Sequence, residues 1–146
     1  MNKNKGFSLV EIMMVIFVLG ILVYLSVINL RNYQSAAELK AARRDLISDL
    51  RFAQENAVAE QCFYSVRLSK ISNSYQIIKK TDPEEITREK NLPSGIQFNN
   101  ITGLAGDEIK FNFYGATNQD GQIDLINTGG IIISISVRPS GYIKVL

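Results

Sequence analysis

Glu11 is the only charged residue in the apolar run Phe7–Leu30, FSLVEIMMVIFVLGILVYLSVINL. A carboxylate in hydrocarbon is costly and marks a functional position by default. A lone acid of this kind can snorkel to the headgroups or be neutralised by a cation that another group brings. Four residues earlier lies the junction Gly6-Phe7, preceded by the short basic stretch Met1–Gly6, MNKNKG. A cut at that junction would make Phe7 a new amino terminus, and so a cation, at the edge of the apolar run.

The other residues with chemical potential assemble into nothing comparable. There is no His, which excludes His-based acid–base catalysis and His metal ligation. The single cysteine, Cys62, has no internal partner and is expected to be a small buried residue at a strand start. No nucleophile–base grouping and no phosphate-cradling Gly loop occurs, so the chain is not expected to be an enzyme, and no cofactor is implied. Asn118, Asp120, Gly121 and Asp124 imitate a calcium loop. Ala116 lacks the opening acid, though, and Asn127 stands where the closing bidentate Glu belongs, so Asn118–Gly121 is expected to be a turn and no metal site is assigned. Once Lys3 and Lys5 are set aside, acidic and basic residues balance, and overall charge gives no argument for a nucleic-acid partner.

Three readings compete for the N-terminal stretch. A secretory signal peptide has an apolar region of roughly 7–15 residues. The run here is longer and holds an acid. A plain single-pass anchor accounts for the length, since a helix of this size spans a hydrocarbon core of about 30 Å, but not for Glu11 or the Gly-Phe junction. The third reading places a cleavage at Gly6-Phe7 on the cytoplasmic side of the run. Gly6-Phe7-Ser8-Leu9-Val10-Glu11 followed by the apolar run resembles the class III signal of type IV pilins and type II secretion pseudopilins.

That resemblance implies cleavage by prepilin peptidase after Gly6 and N-methylation of Phe7. It also implies that Glu11 pairs with the Phe7 amine of a neighbouring subunit during assembly. It further implies other pilins or pseudopilins and an inner-membrane assembly platform as partners. The N-terminus would be cytoplasmic and the head periplasmic or extracytoplasmic before incorporation into a pilus or pseudopilus. Lys3 and Lys5 favour that orientation, but Arg31, Lys40, Arg43 and Arg44 follow the run on its other side, so the charge count does not support it by itself. Gly20 interrupts the run, either for close helix packing or as a point of weakness.

Positioning these residues requires one long helix. No Gly or Pro occurs between Arg31 and Glu60, and Ala36, Leu39, Ala42, Leu46, Leu50, Ala53 and Ala57 recur at helical spacing. Lys40, Arg44, Arg51 and Glu55 fall on the other side, with Arg51 and Glu55 spaced to pair. Strands are expected at Phe63–Leu68, Tyr75–Lys79, Ile96–Phe98, Glu108–Phe113, Gln122–Ile126, Ile131–Val137 and Tyr142–Val145. Thr81–Lys90 reads as a surface loop or weak edge strand. Gly129-Gly130 and Pro139-Ser140-Gly141 are turn chemistry, which makes the last three strands a meander, and Ile131–Val137 reads as a core strand. The fold class is α+β, a long N-terminal helix packed on an antiparallel β-sheet head. The divisions are a leader at 1–6, a transmembrane or filament-core helix at 7–30 and a head at 31–146, helical to 60 and β-rich from 61.

The second half resembles the GspH/FimT branch of minor pilins. The residues that carry this are Leu92-Pro93-Ser94-Gly95-Ile96, Phe113-Tyr114-Gly115, Gln122–Leu125, Ile131–Val137, Gly141–Val145 and, on the helix, Arg44-Asp45-Leu46 and Arg51–Ala57. The function implied is that of a minor pilin or pseudopilin, a structural subunit of a type IV pilus or type II secretion pseudopilus. The alternative is a DNA-binding minor pilin of a DNA-uptake pilus. Relatives of that kind use a basic Gly-Arg-x-Arg element, which here is Gly141-Tyr142-Ile143-Lys144, leaving Arg138 and Lys144 as the only nearby cations.

Overall fold

A computed structural model describes Phe7–Leu146, with backbone alone described at 26–32. The chain divides into two units, Met1–Gln34 and Ser35–Leu146. Helix α1 spans Leu9–Ala59 and contributes to both. In the second unit eight strands follow: β1 (Tyr64–Ser69), β2 (Ser74–Lys79), β3 (Glu85–Asn91), β4 (Ile96–Thr102), β5 (Glu108–Phe111), β6 (Gly121–Asn127), β7 (Ile132–Val137) and β8 (Ile143–Val145).

The helix continues past Leu30 because nothing stops it, and its second half is amphipathic. Leu39, Ala42, Leu46, Leu50, Ala53 and Ala57 are buried, while Ala36 at the start of the stripe is half-buried. Against this stripe pack two four-stranded antiparallel sheets, in the orders β3-β2-β1-β5 and β4-β6-β7-β8. Val66, Ile77, Ile109 and Phe111 of the first join Ile96, Ile123, Leu125 and Ile135 of the second in one cluster with the helix stripe. The expected α+β class and the expected meander, β6-β7-β8, are what the chain forms. The head is built of two sheets. Of Thr81–Lys90, residues 81–84 are not in a strand and the rest belongs to the edge strand β3, Glu85–Asn91, exposed along its whole length and paired with β2.

Three expectations need correction. Ile131–Val137 is not buried throughout: Ile131 and Ile132 are about half exposed, and only Ile135 and Val137 are fully covered. The strand alternates, so its odd residues from Ile133 onward face the core and its even ones do not. Cys62 is half-buried in the bend ahead of β1 and packs against the core edge. Its neighbour Gln61 turns the chain with a φ of 51°, which ends the helix before the strand begins. Arg51 and Glu55 do not form the ion pair their spacing permits, among the described residues. An exposed pair gains only a few tenths of a kcal/mol, too little to hold two long side chains together.

Three polar devices tie the elements. Gln54 of α1 donates from Nε2 to the carbonyl oxygens of Gly115 at 2.6 Å and Gly141 at 3.1 Å, joining two distant turns to the helix. Both glycines are left-handed, and a Cβ on Gly141 would lie 2.1 Å from the Gly115 oxygen. Asp49, 1 % exposed, is the second device. Its carboxylate accepts from Tyr75 Oη at 2.7 Å and Arg88 Nη1 at 2.6 Å, and lies 2.7 Å from Lys90 Nζ. Arg88 also covers the Phe52 ring at 4.2 Å from its centroid. The polar edge strand β3, with almost nothing apolar to bury, is thereby fastened to the helix. Asn73 links the sheets, donating from Nδ2 to Ile96 O at 2.6 Å and accepting from Phe98 N at 3.3 Å.

Burial opposes ionisation of Asp49, but hydrogen bonds from Lys90, Tyr75 and Arg88 prevail and hold its carboxyl below the ordinary 3.8. Burial and the hydrogen bond to Asp49 push the Tyr75 hydroxyl well above its ordinary value. A folded value below the unfolded one contributes stability that is complete above about pH 4 and lost as the pH falls through the folded value. Asp49→Asn is therefore expected to cost roughly 2 kcal/mol at neutral pH. In urea titrations its deficit against the parent should shrink as the pH drops below about 4. Gly141→Ala should lower the denaturant midpoint far more than Gly130→Ala. Both sites have positive φ, but nothing lies within 4 Å of a Cβ at Gly130, so that change carries only the conformational cost of about 1–2 kcal/mol.

Candidate assembly site

Phe7 and Ser8 precede α1, whose first helical residue is Leu9, and Ile12 N donates to Ser8 O at 3.2 Å. Glu11 falls in the first turn, where a negative charge complements the unpaired N–H groups and the positive end of the helix. It is exposed and has no ion-pair partner among the described residues. Phe7 is 78 % exposed. The residues that follow are apolar on every side of the helix, and each large side chain from Leu9 to Leu25 is exposed. A helix that is apolar all round must be covered by lipid or by other helices. Gly20 does not break it, and a Cβ there would meet nothing within 4 Å.

Gly6, the expected residue before the cut, lies outside the described residues, as do the side chains at 26–30 of the expected span. Among the described residues, no helix is long and apolar enough to cross a membrane.

The two cations considered for DNA contact are exposed at the β7–β8 hairpin. Arg138 N donates to Tyr142 O at 2.9 Å across the turn, and Lys144 pairs in register with Ser136. That register puts Arg138, Tyr142 and Lys144 on the outward face, opposite the inward Val137 and Ile143. Two exposed cations neutralise few phosphates and supply little of the affinity that DNA binding requires. In the calcium-like segment, Gly121–Asn127 is a strand, and Asp124 Oδ1 accepts from Gln122 Nε2 at 2.8 Å.

Sequence reasoning did not find Asp49 with Tyr75, Arg88 and Lys90. Nor did it see that Gln54, Gly115 and Gly141 meet. All three lie in segments that carry the second-half resemblance, and that was the signal available. The first group had none: its partners are 26 to 41 positions apart in a chain rich in such residues.

Residues 1–23 match the prokaryotic N-terminal methylation motif. A fimbrial protein of Pseudomonas aeruginosa is 27% identical over 130 residues, covering 89% of this chain and 71% of that one. The fold is similar to that of the minor pseudopilin EpsH from the type 2 secretion system of Vibrio cholerae, with a TM-score of 0.65 and 13% identity, over 75% of this chain and 96% of the other. It is similar also to the type IV minor pilin FimU of P. aeruginosa, with a TM-score of 0.61 and 15% identity, over 78% and 92%. The motif, the fimbrial relative and the two fold neighbours together support the type IV pilin and pseudopilin family for this chain.

Proposed function

We propose that the chain is a minor pilin or pseudopilin, a non-enzymatic filament subunit of a type IV pilus or a type II secretion pseudopilus. The observation that carries this reading is the methylation motif over 1–23, in register with a helix apolar on every side and holding one acid in its first turn. The subunit is made as a membrane precursor anchored through 7–30, with its N-terminus cytoplasmic. Prepilin peptidase cuts after Gly6, and Phe7 is methylated. The helix then leaves lipid for the company of other helices, assisted by the inner-membrane assembly platform.

Glu11 sets the register. An unpaired acid in hydrocarbon is penalised, and the amine of Phe7 on a neighbouring subunit relieves the penalty only when the two helices are correctly staggered. The β-rich head faces outward and contacts other subunits.

Two variants separate processing from assembly. In cells that contain the peptidase, Gly6→Ala should leave the protein at full length on immunoblots; normal trimming would contradict the assigned cut. Glu11→Ala should be trimmed as usual yet be missing from sheared filaments. Its incorporation at parental levels would remove the pairing model.

A further inference from the structure

The exposed side of α1 in the head carries a groove of about 430 Å³. Its walls include Arg43, Arg44 and Arg51, and its apolar floor is Ile47, Phe52 and Val145. Among the described residues none of the three arginines has an ion-pair partner, while Asp49, between Arg44 and Arg51 in the helix, is already engaged by Arg88 and Lys90. Arg43 Nε is shielded from solvent and has no acceptor. An unmet, shielded N–H is costly, and a turn of the guanidinium toward a carboxylate would relieve it with two parallel hydrogen bonds. The Phe52 ring is held in place by Arg88 stacked over it, so the floor is fixed before anything docks.

We propose that this groove is a docking cleft for an acidic, aliphatic segment of another protein subunit, whose carboxylates meet Arg43, Arg44 and Arg51 while an apolar side chain settles on Ile47, Phe52 and Val145. Charge complementarity selects the occupant. Two neighbouring cations on one turn of the helix and a third two turns further on match carboxylates at that spacing, and the floor between them rewards an apolar group. A nucleic-acid strand fits less well. It lays down continuous negative charge and has nothing aliphatic to offer the floor. The inference goes beyond the assembly reading and rests on it only for the presence of neighbouring subunits.

The test needs no filament. The full chain in detergent micelles is titrated against a short fluorescein-labelled helical peptide carrying three glutamates on one face with leucines between them. Its glutamine twin and a single-stranded oligonucleotide serve as competitors, with anisotropy as the readout. The glutamate peptide should bind about tenfold more tightly than its twin. Arg43→Gln with Arg51→Gln should reduce that binding by about tenfold or more, while the corresponding lysine pair retains part of it. Ser48→Glu, an exposed change at the groove that leaves the packing stripe untouched, should abolish it, with an unchanged circular-dichroism melt showing that the head is intact. Equal binding of the two peptides, tighter binding of the oligonucleotide, or indifference to Ser48→Glu overturns the proposal. Such a result would leave the Glu11→Ala outcome, and with it the assembly reading, unaffected.

Discussion

The two sheets of the head share no strand, so neither is completed by the other's hydrogen bonds. What they have in common is the stripe Leu39–Ala57 on α1, and both bury their inner faces in the same cluster with it. Alanine at three of the six fully buried positions lets strands approach the helix closely, and leucine at the others fills the space between layers. A single long helix can organise so many short strands because its periodicity is rigid. Each turn presents an apolar side chain at a fixed height, and the inner faces of both sheets pack into one cluster with them. Gln54 extends the same logic to polar groups. It stands beside the stripe and holds two turns, one between β5 and β6 and one between β7 and β8.

How much of this the residues announce depends on the range of the interaction. The helix is legible because its evidence is local, the recurrence from Ala36 to Ala57 and the lack of Gly or Pro. The N-terminal motif is legible for the same reason. Strand positions were close wherever alternation or turn residues marked them, as at Tyr142–Val145. The separation into two sheets was not visible, because pairing partners such as β1 and β5 lie some forty residues apart and nothing in either names the other. β3 was ambiguous because it carries one exposed isoleucine among charges. Its strand conformation is imposed by the β2 ladder and by the grip of Asp49 on Arg88 and Lys90. The buried acid itself looked like any helical carboxylate, since its burial depends on a tyrosine and two cations delivered by later strands.

The same helix is apolar in two different ways. From Leu9 to Leu25 the large side chains are exposed in every direction, a surface with no preferred side. From Leu39 onward the oil is confined to one stripe already covered by the sheets. The first kind adapts to any apolar surroundings, lipid or helix. The second is specific and satisfied. Glu11 sits at the beginning of the indifferent stretch, where a packing surface without shape preferences gains most from one directional contact.

The outer rim of the first sheet has a quieter consequence. β3 offers its unpaired backbone to solvent along a border where Glu85, Arg88, Glu89 and Lys90 alternate in sign. A naked rim of this kind would ordinarily recruit a sister chain into an endless ribbon, and a row of mixed charges discourages that union. The alternating charges thereby keep two copies of the head from joining edge to edge.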